Sequence, residues 1–313
     1  GKRIAYNLLI RAGNSTLGLG YIMVITDLLL SPATGSNSSR TSIIYPIFQN
    51  IAQGIGSTAE KAPRKLGAFL EVLMYASSQT TSALFLTGMA TNAITVALMS
   101  EMLGINMTWG TWVLASAVPV GLILLLAPLV IYKIYPPEMK SLSEVKPLAL
   151  KGLQELGPMS TAEKTLLGLF ILAILGWMFG PMIPFVNLKM QYVGFVFLAL
   201  VLITKVLDWN DVIAAKGAWN IFIWYGAFYG IAASLSSAGF YTWLADYIGG
   251  IIDLSVYSGM TVTAVLVFVS LSVRYFFVSN SAFVASFYPV LFILTLGTQA
   301  NPMVVGLLIA FCS

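Results

Sequence analysis

The chain has 313 residues, 58% hydrophobic and 9% charged, with a net charge of +4 and a mean hydropathy of +0.88. Soluble domains carry about 25% charged residues, so a water-soluble globule of this composition would expose a large apolar surface. Histidine is absent and Cys312 is the single cysteine, which excludes an internal disulfide, a Cys/His zinc site, a histidine-based catalytic triad and a histidine proton relay.

Apolar stretches of about 17–25 residues recur, the length at which an α-helix crosses the hydrocarbon core. They are continuously apolar, unlike the alternating strands of a β-barrel. The expected fold is an all-α polytopic membrane protein with the lipid bilayer as its solvent. The chain opens on GKRIAYNLL and closes on LLIAFCS inside an apolar run; it reads as an internal portion of a longer protein, incomplete at both ends.

In chain order, segments 15–34 and 41–53 flank a polar patch at 35–40, and 67–103 is a long segment interrupted around 87–92. Segments 111–133, 165–180, 188–206 and 219–245 read as simple spans. Segments 256–277 and 283–297 flank a second polar patch at 279–281, and 302–313 begins a further span. The polar stretch 134–164 predicts a short surface helix over 148–156, then a helix capped by Ser160 with Glu163 at the capping-box position.

Basic residues orient the segments. Lys2, Arg3 and Arg11 precede the first, Lys61, Arg64 and Lys65 follow residue 53, and Lys133, Lys140, Lys146, Lys151 and Lys164 surround the long loop. Loops 104–110, 181–187 and 246–254 contain no Lys or Arg, the alternation that the positive-inside rule demands. Charge in the loops speaks for topology, and no nucleic-acid partner is expected. By this count 15–34 and 41–53 enter and leave from the cytoplasmic side as a re-entrant hairpin, and 256–277 and 283–297 form a second hairpin from the opposite side. The domain reading is a first repeat over 1–133, a cytoplasmic connection over 134–164 and a second repeat over 165–313.

The two patches carry one motif. Ser36-Asn37-Ser38 is followed after six residues by Tyr45-Pro46, and Ser279-Asn280-Ser281 after six by Tyr288-Pro289. Equal spacing in hairpins of opposite sense points to inverted-topology repeats, common in secondary transporters whose sites lie at broken helices near the midplane. Ser hydroxyls and Asn amides at such tips donate to carboxylate oxygens or offer oxygens to a cation, and helix N-termini favour an anion. The competing reading is that small polar residues merely permit close helix packing. A broken helix is expected at 87–92, where Gly88 either lets a backbone carbonyl turn toward an ion or marks a Gly/Thr kink with no ligand.

Several stretches resemble the divalent anion:sodium symporter family, in its citrate/succinate, tartrate/succinate and plastid 2-oxoglutarate/malate translocator branch. They are SPATGSNSSRTSIIYPI, EKAPRKLGAFL, TTSALFLTGMATN, IYPPEMK, LQELGPMSTAEK, GAWNIFIWYGAFYG and VRYFFVSNSAFVASFYP. The resemblance implies two inverted repeats, a homodimer of scaffold and transport domains, and elevator-type movement. It assigns substrate to the tips, here Ser36, Asn37, Ser38, Ser279, Asn280 and Ser281. If transport is sodium-coupled, it assigns the cation to Ser36, Asn37, Gly88 and Asn280. The third tip residue is Ser in both copies where the family usually has Thr.

Two arginines lie inside the apolar regions, Arg40 just after the first tip and Arg274 before the second. Intramembrane charges are costly and tend to serve function. Each is read as a substrate-carboxylate ligand or as a fixed charge in place of sodium; the bland alternative is snorkelling, or pairing with Asp27 or Glu71. Trp109, Trp112 and Tyr247 read as interfacial anchors. The leading function is antiport of di- and tricarboxylates such as 2-oxoglutarate, malate, succinate and citrate, with a sodium-coupled symporter as the alternative and no enzymatic activity. An intramembrane serine hydrolase would need a base that neither tip has nearby. A bacterial inner membrane and a plastid inner envelope both fit.

Overall fold

Hydroxyl and carboxylate caps mark where several helices begin: Ser15, Ser36, Ser160, Asp208, Ser258 and Ser279 each accept from a backbone N–H of the following turn. The structure, a computed structural model, describes residues 1–142, 145–183, 188–251 and 253–312. In chain order the helices are α1 (Lys2–Ala12), α2 (Thr16–Leu30), α3 (Asn37–Gly54), α4 (Gly67–Leu84), α5 (Ala90–Leu103), α6 (Trp109–Ile134), α7 (Val145–Glu155) and α8 (Thr161–Phe179). They continue as α9 (Met190–Ile203), α10 (Trp209–Ala214), α11 (Lys216–Ser237), α12 (Phe240–Ile251), α13 (Gly259–Arg274), α14 (Asn280–Thr295) and α15 (Pro302–Phe311). No β-strand occurs among the described residues.

Three stretches among the described residues are long and apolar enough to cross a membrane, Thr16–Ala33, Trp109–Ile134 and Thr161–Met182; α11 with α12 adds a fourth if that bent pair counts as one. The chain is an all-α, multi-pass integral membrane protein. It divides into two compact units, Gly1–Met89 with Trp109–Val206, and Ala90–Thr108 with Leu207–Ser313. The units are discontinuous in sequence and follow packing, whereas the division at 1–133, 134–164 and 165–313 concerns internal symmetry.

In the first unit α2 and α3 form the first hairpin, and α4 packs on α2, α3 and α6. The interior is built from Leu19, Met23, Ile44, Phe48, Phe69 and Leu73, all buried. Lipid is as apolar as these side chains, so close packing rather than expulsion from water must hold the helices together. Gly20 provides one such approach, since a Cβ there would meet Leu73 at 2.8 Å and Phe69 at 3.1 Å.

Segment 138–142 ties together the two ends of this hairpin. The Leu142 N–H donates to Asn14 O (3.0 Å) and the Thr16 N–H to Lys140 O (3.2 Å), while the Glu138 and Met139 N–H groups donate to Arg64 O and Lys65 O. The chain thus leaves the hairpin beside the point where it began. The surface helix expected over 148–156 is α7, beginning earlier because Val145 and Ala149 are buried and pack it on α1. Ser160 and Glu163 form the expected capping box on α8, and Arg3 on α1 pairs with Glu163 at 3.2 Å.

In the second unit α13 and α14 form the other hairpin, with α14 packed on α5, α11, α12 and α15. Its ends also lie together, since a Cβ on Gly259 would fall 2.2 Å from Gln299 O. Ahead of α13, Asp253 accepts from the Ser255 N–H (2.9 Å) and hydroxyl (2.5 Å), which hold its carboxyl below the usual carboxylate range.

Candidate functional site

Each Ser-Asn-Ser motif opens the return helix of its hairpin rather than sitting in a free loop. Ser36 is the N-cap of α3, its hydroxyl accepting from the Ser39 N–H (3.4 Å), and Ser279 caps α14 in the same way from Ala282 (3.4 Å). The cap orders the first turn and leaves neighbouring backbone N–H groups at its end, where the helix dipole favours an anion. The Tyr-Pro of each motif then anchors the helix: Tyr45 donates to Glu71 on α4, and the buried Tyr288 donates to Ile309 O on α15 at 2.7 Å.

At the first tip the Asn37 side chain is engaged on both sides. Its Oδ1 accepts from the Ser38 N–H (2.9 Å) and its Nδ2 donates to Gln79 Oε1 on α4 (3.0 Å). Ser38 is exposed, while Ser36 and Asn37 are half-buried.

One turn further, Arg40 is completely buried. Its Nε donates to Asp27 Oδ1 (3.0 Å), and Nη1 to the carbonyls of Thr34 (3.2 Å) and Gly88 (2.8 Å). Its Nη2 donates to the Ser78 carbonyl (3.1 Å) and the hydroxyls of Thr81 (3.3 Å) and Ser82 (2.5 Å). A guanidinium has five N–H donors, and here they face six protein oxygens. Asp27, equally buried, takes the Thr81 hydroxyl on its other oxygen. Arg40 therefore pairs with Asp27, whereas Glu71 belongs to Tyr45.

This cluster also explains the helix break. α4 ends at Leu84, Phe85 is extended, and a single 3-10 turn, Leu86–Gly88, precedes the extended Met89 and α5. The break covers 85–89, slightly ahead of the expected 87–92, because Thr91 and Asn92 already belong to α5. A Cβ on Gly88 would lie 2.7 Å from Ser82 O and 2.8 Å from Ser31 Oγ, so only glycine brings this carbonyl to Arg40. Indole N–H groups satisfy further oxygens nearby: Trp109 donates to Thr87 Oγ1 (3.2 Å) and Trp112 to Ala83 O (3.0 Å). Both tryptophans are buried, so they pack the break and are not the interfacial anchors expected; Tyr247 is exposed and stacks on Trp243.

The second tip is differently furnished. Asn280 Oδ1 is buried without a hydrogen-bond partner, and the Ser281 hydroxyl lies 2.8 Å from the Tyr225 hydroxyl on α11. On α5, which packs against α14, Thr91 Oγ1 is likewise buried and unpartnered. Arg274 ends α13 half-buried, donating to Phe277 O (2.7 Å) with its guanidinium 5.8 Å from the Phe283 ring centroid. Among the described residues the ion pairs are Arg3–Glu163 and Arg40–Asp27, so Arg274 keeps its charge uncompensated by a carboxylate.

Thus Arg40 and Gly88 come together beneath the first tip, and Asn280 and Ser281 lie one turn from the ring that Arg274 faces. In the first hairpin the oxygens do not form an open sodium shell: Gly88 O accepts from Arg40 and Asn37 Oδ1 from Ser38.

A family model described as the sodium:sulfate symporter transmembrane region matches residues 1–313. The chain belongs to this family. The inner membrane protein YbhI of Escherichia coli is 41% identical over 312 residues, which cover 99% of this chain and 64% of that protein. An uncharacterized transporter of Haemophilus influenzae is 42% identical over 291 residues, 93% of this chain and 60% of the relative. The L-tartrate/succinate antiporter of Escherichia coli is 34% identical over 305 residues, 97% of this chain and 61% of the relative. The chain therefore spans about three fifths of the length of these relatives. Within this family frame, Gln79 and Tyr225 are tip partners that motif spacing does not single out, because each lies on a different helix from the serine or asparagine it touches.

Proposed function

We propose that the chain forms the core of a secondary active transporter that exchanges di- and tricarboxylate anions of the 2-oxoglutarate, malate, succinate and citrate class. Likeness to an L-tartrate/succinate antiporter supports the carboxylate class. The observation that carries exchange rather than sodium coupling is the Arg40 cluster. Its oxygens are satisfied permanently by a tethered cation that cannot dissociate, so this hairpin has no need of sodium before carrying its load.

In this reading Ser36, Asn37, Ser38, Ser279, Asn280 and Ser281 donate hydroxyl, amide and backbone N–H groups to carboxylate oxygens. Arg274 contributes charge, since no carboxylate among the described residues neutralises it. Arg40 acts through the first tip, holding α3, α4 and the Gly88 carbonyl in register. Alternating access comes from elevator-type movement of the hairpin-bearing part within a homodimer, as the family resemblance implies.

Sodium-coupled symport is the second reading, with Ser36, Asn37, Gly88 and Asn280 as cation ligands. The buried, unpartnered oxygens of Asn280 and Thr91 favour it in the second unit, because such atoms suit a cation as well as an amide or hydroxyl donor.

The deciding experiment uses the full-length protein in liposomes loaded with unlabelled malate, following uptake of labelled succinate, 2-oxoglutarate and citrate with and without a sodium gradient. Uptake that requires internal carboxylate and ignores sodium supports exchange. Uptake that requires external sodium and no internal carboxylate overturns it in favour of symport.

A further inference from the structure

The Ser281 hydroxyl is the tip hydroxyl whose side-chain partner is another hydroxyl, that of Tyr225 at 2.8 Å. Such a pair holds two O–H protons, and one is spent on the bond between them. Which group spends it decides what the tip presents. A phenol is the stronger acid and the better donor, so the favoured arrangement has Tyr225 donating to Ser281 Oγ. The serine proton is then the free one, and accepting from the phenol makes serine a stronger donor in turn, through the cooperativity of linked hydrogen bonds in a low-dielectric site.

We infer that Tyr225 is a positioning residue for the second tip, fixing the Ser281 hydroxyl as a hydrogen-bond donor toward a substrate carboxylate. This rests on the carboxylate reading of the tip given above. One further observation points the same way. Tyr225 is half-buried on α11, a helix packed against α14, so its ring is held while its hydroxyl reaches the tip. A lone pair of Ser281 occupied by a phenol proton is also less available to a cation, which biases this position toward anions.

The test is the concentration dependence of labelled succinate uptake by the full-length protein in malate-loaded liposomes, for Tyr225→Phe, Ser281→Ala, Ser281→Thr and the double variant Tyr225→Phe/Ser281→Ala. Removing one oriented hydrogen bond to a charged ligand is expected to raise KM about 5–10-fold in Tyr225→Phe, with the maximal rate within about twofold of the parent. The double variant should match Ser281→Ala alone, because the tyrosine acts only through that hydroxyl. Ser281→Thr, which keeps a tip hydroxyl, should remain sensitive to Tyr225→Phe. The succinate-induced thermal shift of detergent-solubilised protein should follow the same order without requiring transport. An unchanged KM in Tyr225→Phe alongside a raised KM in Ser281→Ala overturns the inference and leaves the proposed function standing. Additive effects in the double variant also overturn it. An unchanged KM in Ser281→Ala removes the tip from substrate binding and so strikes the proposed function itself.

Discussion

The two hairpins share a motif, a spacing and a capping geometry, yet they treat charge in opposite ways. Beneath the first tip Arg40 and Asp27 are both fully buried and neutralise one another within a cage of hydroxyls and carbonyls. Around the second tip no carboxylate pairs with Arg274 among the described residues, and the hairpin is lined by Phe277, Phe283, Phe287, Tyr288 and Phe292 in successive ring contacts. The first reversal is tucked in, with the Ser31 hydroxyl donating to Thr81 O (2.9 Å) and Thr87 to Pro32 O (3.0 Å). The second exposes Tyr275, Phe276 and Val278. One motif can therefore sit on a rigid polar clasp or on an apolar stack. The first is suited to holding a helix break in place, the second to leaving tip atoms free for a ligand.

The largest expected effect lies in the clasp. Asp27→Asn removes the counter-charge while Arg40 stays buried, and breaking a buried pair from one side costs about 3–5 kcal/mol. Thermal unfolding in detergent should fall steeply, and Asp27→Asn/Arg40→Met should recover much of the loss. A double variant no more stable than the single one would show that the pair is not what couples α2, α3 and α4.

Next comes Gly88→Ala. The added methyl would meet Ser82 O at 2.7 Å and Ser31 Oγ at 2.8 Å, an overpacking expected to cost about 1–3 kcal/mol. The same thermal measurement checks it, and an unchanged melting temperature would mean that the break tolerates a side chain.

The asparagines sharpen the contrast between tips. Asn37→Ala loses bonds to Gln79 and Ser38 and should cost about 1 kcal/mol of stability as well as raising KM. Asn280→Ala abandons no protein partner through Oδ1, so its KM should rise with no stability cost through that oxygen. Equal destabilisation at both positions would erase the distinction drawn between them.

The smallest effects belong to the tyrosines that anchor the return helices. Tyr288→Phe removes a buried bond to the Ile309 carbonyl, which keeps the Cys312 N–H, and should cost about 0.5–1 kcal/mol. Tyr45→Phe, whose partner Glu71 is exposed, should cost less; the reverse order in urea or thermal unfolding would contradict the burial argument.

Much of this was legible in the residues because it is local. Ser36, Ser160 and Ser279 bond to N–H groups three residues on, and a capping pattern over that distance can be read directly from sequence. The hairpins could be placed because the polar patches interrupt apolar runs of membrane length. The break near Gly88 followed from a Gly/Thr cluster inside such a run. Trp109 and Trp112 misled for a clear reason: aromatic residues at a helix start look alike whether they face headgroups or fill a cavity, and only packing against Phe85 and the 83–87 segment separates the two.

By itself the sequence determined the solvent, the helical class, the paired hairpin segments and the residues at their turns, since each depends on composition or on spacings within a few residues. Tertiary structure alone decided that Arg40 spends its donors on Asp27, Gly88 and the hydroxyls of α4, that Asn37 leans on Gln79, and that Tyr225 meets Ser281. Those partners lie 38 to 56 residues away along the chain, apart from Asp27 and the Thr34 carbonyl. No local periodicity reaches that far, and in a bilayer interior a polar group is settled by whichever oxygen or proton the packed helices bring within hydrogen-bond distance.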